Sequence, residues 1–318
     1  MKIELLKWDA LDISVLAKMT SVVRREEGLG DYTVDQVEEY LKLMNERFPT
    51  EIAVVAKEED QVLGWMGMER LTEEIGEVGR WHPFIDQGPQ REALAQQLIS
   101  AVNRYAFENG ISRMEIGFGE ISSNNLEAFS HRRSWYEAAG WKHLEEDLFM
   151  AVNPMELRSS QAPTHQDEFN LKPLIDIDVE KLFQCYHQAF MTGEAVWIYE
   201  MTEEQRRQEF DKNFDKSKPI NEKASFVLEK DGEVAAFILV LSRTAQEEYI
   251  ESFGVHPSYR GRGLAKYLMM KVIEVMQNDG AENLTLGVDS VNRPAIGLYE
   301  QVGFRTVSRT IRYSWVRH

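Results

Sequence analysis

The chain carries one order of elements twice, and that repetition limits the folds open to it more than any other feature. Near the start, ALDISVLAKMTSVV has helical spacing, and its counterpart in the second half is DIDVEKLFQCYHQAF. A hairpin follows in each half. EIAVVAKEEDQVLGWMGMERL alternates around a polar tip, and SFVLEKDGEVAAFILVLSR does so around Asp231-Gly232, a pair suited to a tight turn. Next comes a His-Pro pair, His82-Pro83 or His256-Pro257, ahead of a long amphipathic helix. In the second half that helix is LAKYLMMKVIEVMQ, with Leu264, Leu268, Val272 and Val275 at helical spacing on one face. A short strand then reads MEIGF or LTLGV. Last come SWYEAAGW and GLYEQVGF, each a short helix closing at a glycine (Gly140, Gly303) before an aromatic that begins a final strand. Between the halves, NPMELRSSQAPTHQDEFN lacks apolar periodicity and contains two prolines. The expectation is α+β: two tandem domains over 1–152 and 170–318, joined by a linker at 153–169.

A length of 318 residues with 43% hydrophobic content suffices for two cores. The chain has 36 basic and 53 acidic residues, a formal charge of -17, which argues against non-specific nucleic-acid binding. The single cysteine, Cys185, rules out an internal disulfide and a cysteine-based zinc cage, and no metal is expected. It lies in an apolar helical pattern, which suits packing rather than nucleophilic attack. No run of 18 apolar residues occurs, and MKIELLKWDALD is too charged for a secretory segment. A cytoplasmic protein without membrane or nucleic-acid partners is expected.

Residues 255–265 read VHPSYRGRGLA, placing Arg260, Gly261, Arg262 and Gly263 between a strand and the helix that starts at Leu264. Such a turn presents unpaired backbone N–H groups to one point, and the helix dipole adds partial positive charge there. Glycines let the backbone turn tightly and leave no Cβ between the amides and an anion. Arg260, Arg262 and, one turn along, Lys266 can add charge. The turn reads as a phosphate site. It is not a Walker loop, because no Lys-Ser or Lys-Thr follows a second glycine, and it is not a dinucleotide fingerprint, because Lys266 stands where a third glycine is needed.

The spacing Arg260-x-x-Gly263-x-Ala265, preceded by Val255 and Pro257, resembles the acetyl-CoA motif R/Q-x-x-G-x-G/A of the GNAT superfamily of acyl-CoA-dependent N-acyltransferases. Asn292, with Tyr299 seven residues on, matches the second landmark of that family. The resemblance covers 170–318 well and 1–150 in outline. It implies two GNAT-like domains, each a mixed, mostly antiparallel sheet flanked by helices, the second binding acetyl-CoA as cosubstrate. By the same resemblance the sheet splays between its fourth and fifth strands, and the pantetheine arm pairs with the backbone of Val255. The amides of Arg260, Gly261, Arg262, Gly263, Leu264 and Ala265 hold the pyrophosphate, and Asn292 bonds the pantetheine. Tyr299 is then the general acid that protonates the departing thiolate, although a tyrosine on a short helix can also be plain core. Glu251, on the fourth strand, is the candidate base, with Glu247 and Glu248 as rivals. Strand parity puts Glu251 on the face of Phe253 and Val255 and away from Ser252, unless a bulge intervenes. An ordinary strand-edge carboxylate, with water as base, stays open.

The implied reaction is acetyl transfer from acetyl-CoA to a primary amine by direct attack, with proximity, a proton acceptor and a donor for sulfur as its needs. The other reading is a non-catalytic CoA-binding regulator or scaffold. In the first half, WHPFIDQGPQREALAQQL admits a register Gln90-x-x-Ala93-x-Ala95, in which Glu92 replaces Arg262 and a Cβ replaces glycine. A carboxylate there repels a pyrophosphate, so the first domain reads as a degenerate, non-catalytic copy even though Tyr136 keeps the tyrosine position. The layout also resembles that of the mycothiol synthases, tandem members of the family. The acceptor, a small-molecule amine or a peptide, stays unidentified. Trp197 and Tyr199, amid carboxylates, are the aromatics available to a pocket, or else to core.

Overall fold

A computed structural model describes residues 1–59, 61–157, 168–191, 201–244 and 246–317. Trp197 and Tyr199 lie outside the described residues. The chain divides into two compact units, Met1–Glu146 with Ser308–His318, and Asp147–Val307.

The first unit opens with β1 (Lys2–Leu6), α1 (Ile13–Glu26) and α2 (Val34–Arg47). Asp12 caps α1 by accepting from the Val15 amide, and Thr33 with Gln36 forms a capping box on α2. The hairpin β2 (Thr50–Glu58) and β3 (Gln61–Arg70) leads to β4 (Ile75–Val78) and the two-residue β5 (Phe84–Ile85). Then come α3 (Arg91–Glu108), β6 (Arg113–Ile121), α4 (Leu126–Ala138) and β7 (Lys142–Val152). The sheet of this unit runs β1-β2-β3-β4-β6, antiparallel except for the parallel pair β4/β6.

The second sequence repeat follows the same plan. Its elements are β8 (Asn170–Pro173), α5 (Val179–Met191), α6 (Glu203–Asn213), the hairpin β9 (Phe226–Lys230) and β10 (Glu233–Ser242), then β11 (Glu247–Val255). After these come α7 (Leu264–Asp279), β12 (Asn283–Asp289), α8 (Arg293–Gln301) and β13 (Arg305–Val316). The hairpin turn has φ of 53° at Asp231 and 84° at Gly232, the left-handed pair that a two-residue turn between twisted strands requires. Strand order is β8-β9-β10-β11-β12, antiparallel except for β11/β12. One face buries Leu264, Leu268, Val272 and Met276 of α7 against Ile238, Ile250 and Leu286. The other packs Phe183 and Tyr186 of α5 and Phe210 of α6 on Phe237 and Leu239.

The last strand of each repeat does not stay with its repeat. Asp147 to Val152 of β7 pair antiparallel with Leu284 to Asp289 of β12, and Arg309 to Val316 of β13 pair with Arg113 to Ile121 of β6. Leu148, Met150 and Val152 therefore belong to the second core and Tyr313 to the first. The units thus divide at 146/147 and 307/308 rather than at 152 and 170. Alternation marks a segment as strand but leaves its partner unspecified, since every strand offers the same backbone groups.

Candidate active site

The geometry of the second unit turns on where β11 and β12 part. Their parallel pairing runs from Glu247↔Asn283 to Ile250↔Leu286 and stops, while β11 continues to Val255 and β12 to Asp289. Beyond that point each strand keeps only its outer neighbour, β10 or β7. A wedge with strand backbone on both sides results, as expected for the fourth and fifth strands.

At the end of β11, Pro257–Tyr259 makes a single 3-10 turn and the chain enters the glycine turn. Gly261 and Gly263 have φ of 75° and 78°, a region that side-chain-bearing residues adopt only at a cost. A Cβ on Gly261 would meet nothing within 4 Å, so the space above the turn is open. Gly263 is the N-cap of α7 and offers no capping side chain. Among the described residues, no acceptor takes the amides of Gly261, Gly263, Leu264, Ala265 or Lys266. A helix start of this kind holds its orphan donors for something outside the chain.

The arginines behave differently from one another. Arg260 spans back to the scaffold, its Nη2 donating to Ala189 O at 2.7 Å and its Nε to Val255 O at 3.3 Å. Its charge ties the end of β11 to α5 rather than standing free over the turn. Arg262 lies over the Tyr259 ring, 5.6 Å from its centroid, and reaches Glu168 at 4.0 Å. Asn292 caps α8, its Oδ1 accepting from Ala295 N at 3.2 Å.

Tyr299 on α8 is buried among Phe253 and Phe304, with ring centroids 6.4 and 5.9 Å away, and its hydroxyl makes no hydrogen bond among the described residues. Burial, and secondarily the Tyr249 phenol, pushes its pKa well above the ordinary tyrosine value, so it stays protonated at neutral pH.

The parity expectation for Glu251 needs correction. Leu239 pairs with Ser252 and Val240 with Ile250, which leaves Glu251 as the extra residue of a β-bulge. Ile250 and Phe253, three apart, consequently face the same core. Glu251 turns instead toward the segment after α6, where Lys218 Nζ donates to its Oε1 at 2.6 Å. The rival Glu248 is buried and accepts from Ser242 Oγ at 3.0 Å, while Glu247 lies 3.8 Å from Arg243. Close to the bulge, Tyr249 stacks on Phe149, and the Arg243 guanidinium lies over the Tyr249 ring, 3.7 Å from its centroid.

Sequence reasoning missed Lys218, Tyr249 and Gly254. A Cβ on Gly254 would lie 2.6 Å from Phe237 and 3.0 Å from Ala189, so this glycine lets α5 close on β11. One signal was present. Glu77 stands five residues before His82 just as Glu251 stands five before His256, so the carboxylate position is shared by both repeats.

The corresponding wedge of the first unit is filled by its own side chains. There the parallel pairing also spans four residues, Ile75↔Arg113 to Val78↔Ile116. Trp81, the counterpart of Val255, sends its indole N–H to Gly119 O of β6 at 3.1 Å. Arg132 is fully buried and donates to Trp81 O at 2.6 Å and to Pro83 O, while pairing with Glu27 at 2.6 Å. Tyr136, the counterpart of Tyr299, is committed to His82 O at 3.1 Å. The register drawn through Gln90, Ala93 and Ala95 also shifts. Gln90 is the N-cap of α3, so Glu92 and Ala93 are inside the helix, and the turn itself is Gln87-Gly88-Pro89-Gln90.

Residues 183–304 match the model of the Acetyltransferase (GNAT) family. The chain contains a GNAT-family domain. Streptothricin acetyltransferase of Streptomyces lavendulae is 39% identical to it over 75 residues, 23% of this chain and 40% of the relative. N-alpha-acetyltransferase 30 of Schizosaccharomyces pombe is 34% identical over 70 residues, 22% of this chain and 47% of the relative. A mycothiol acetyltransferase of Saccharomonospora viridis is 35% identical over 72 residues, 23% of each chain. The match thus spans less than half the length of each of these relatives. Solved structures resemble the whole chain, among them two with both chains almost fully covered. A GCN5-related N-acetyltransferase from Sphaerobacter thermophilus superposes with a TM-score of 0.62 at 15% identity, covering 99% of this chain and 95% of that one. A tandem GNAT protein from the clavulanic acid biosynthesis pathway gives 0.58 at 12% identity, covering 99% and 98%. The fold is therefore a tandem GNAT fold, the first unit included. No described helix is long and apolar enough to cross a membrane.

Proposed function

We propose that the chain is an acyl-CoA-dependent N-acetyltransferase, with acetyl-CoA held in the β11/β12 wedge of the second unit and a primary amine of a small molecule or peptide as acceptor. The observation that carries this reading is the row of amides at 261 and 263–266, which have no acceptor within the described protein and follow the end of a parted strand pair, with open space at the Cβ position of Gly261. A diphosphate suits them in charge and shape. The residues fit the cosubstrate: β11 past Ile250 offers unpaired backbone on the wedge side for an extended arm, and the carboxamide of Asn292 keeps its N–H₂ free of hydrogen bonds among the described residues.

Bound acetyl-CoA supplies the thioester and, on its cleavage, a thiolate. The chain's part is to orient and to manage two protons. Tyr299, kept neutral by burial, holds a proton for the sulfur, and the Glu251 carboxylate at the bulge accepts one from the amine. The first unit is non-catalytic in this reading, because Trp81 and Arg132 occupy the space a cosubstrate needs.

Incubation with acetyl-CoA and a panel of amines, following free thiol, is expected to show acceptor-dependent release. Tyr299→Phe should lower turnover by roughly 10²- to 10⁴-fold while acetyl-CoA affinity is retained. A Phe variant as fast as the parent removes Tyr299 from the mechanism. Tight acetyl-CoA binding without thiol release for any amine points to the regulator or scaffold instead.

A further inference from the structure

We propose that Lys218 is a positioning residue for the reaction, holding the Glu251 carboxylate at the wedge as the group that receives the proton of the acceptor amine. The inference rests on the transferase reading and goes beyond it by adding Lys218 to the residues that serve the reaction.

The geometry is that of a built contact rather than a chance surface pair. Nζ and Oε1 are 2.6 Å apart, and the two side chains keep 26% and 20% of their exposure, so water screens them only in part. Lys218 is pinned on both sides. Its amide donates to Asp215 O at 3.0 Å, its carbonyl accepts from Ile220 N at 2.8 Å, and Pro219 O accepts from Ser242 N at 2.8 Å. Ile220 adds an isolated bridge to Leu241. Opposite it, the bulge frees Glu251 from the β10 ladder and swings the carboxylate toward that segment.

The two repeats supply an internal comparison. In the first, the C-cap of α2, Phe48, is followed at once by Pro49. In the second, the C-cap of α6, Phe214, is separated from Pro219 by Asp215-Lys216-Ser217-Lys218. The insertion delivers the ammonium. Glu77, the first repeat's carboxylate at the same distance from His-Pro, has no ion pair among the described residues, and burial lifts its pKa above the usual carboxylate value. In the second repeat the carboxylate at this strand position instead has Lys218 Nζ at 2.6 Å. The Tyr249 phenol, on the same strand, feels the charges of Glu251, of Arg243 just after β10 and of Asp147 on β7.

The test compares Lys218→Met and Lys218→Arg in the full chain. Loss of the ammonium should move the acidic limb of the kcat/KM profile to higher pH by about one unit or more, because an opposite charge within hydrogen-bond reach favours the ionised carboxylate. It should lower kcat more than it raises KM for acetyl-CoA. Lys218→Arg should restore both the limb and most of kcat. The ¹³C titration of the Glu251 side-chain carboxyl, assigned by its loss in Glu251→Gln, should move in the same direction in Lys218→Met without any cosubstrate present. A carboxyl titration that does not move, or one that moves while the limb of an active enzyme stays in place, overturns the role of Lys218 and leaves the transferase reading standing. Absence of thiol release by the unaltered chain is a separate result and sinks the transferase reading itself.

Discussion

His82 and Arg132 are both buried in the first unit, and the imidazole, kept neutral there, sets its response to acid. His82 Nδ1 accepts from Gly67 N at 2.9 Å, and Trp65 and Phe84 pack edge-on at 4.5 and 4.8 Å. Burial, reinforced by the cations Arg132 and Arg24, pushes the imidazole down to about 3. The fold therefore holds it neutral, whereas the unfolded chain takes up a proton below about 6.5. Its contribution to stability is complete above that value and is lost as pH falls toward 3, at up to about 1.4 kcal/mol per pH unit. His82→Asn, whose amide oxygen can still accept from Gly67, should flatten the decline in denaturation midpoint between these limits; parallel declines would show that His82 does not titrate in this way. At this scale the sequence was partly legible. Gly261 and Gly263 announce a left-handed turn, and Asn292 and Tyr299 lie at a recognisable spacing. Lys218 and Glu251 gave no sign of their pairing, because they are 33 residues apart and a bulge costs no more than one residue of alternation.

Elements were legible as types and less so as partners. The helices at 179–191 and 264–279 and both hairpins follow their periodicity, since an apolar face must be buried wherever the chain is compact. β7 and β13 were legible as strands, yet each completes the sheet of the unit that holds the other repeat's helices. A fragment beginning at 153 lacks Leu148, Met150 and Val152 from the second core, and is expected to melt well below a fragment spanning 147–307. Equal melting temperatures by circular dichroism would show that these three residues contribute little to that unit. Gly254 belongs to this scale as well. Gly254→Ala should cost about 1–3 kcal/mol, read from denaturant midpoints, because its Cβ would press on Phe237 and Ala189 and only a shift between β11 and α5 could relieve it.

For the whole molecule, duplication has produced two wedges of which one is open and one is closed. The second ends at bare amides with free space above them, while the first is bridged by the Trp81 indole and sealed by the buried Arg132–Glu27 pair. Repetition announced the copy, but the closure depends on residues that differ from their repeat counterparts, Trp81 for Val255 and Arg132 for Ala295. Arg132 stands four before Tyr136, where the second repeat has Ala295, and an arginine in a helical pattern reads as solvent-facing until packing buries it. The most direct measurement is calorimetric titration of acetyl-CoA into the full chain and into Gly263→Glu. One molecule should bind per chain, and the glutamate, strained at a φ of 78° and repelling a diphosphate, should abolish the heat. Two equivalents bound, or an affinity unchanged by the glutamate, would contradict a single cosubstrate site at the start of α7.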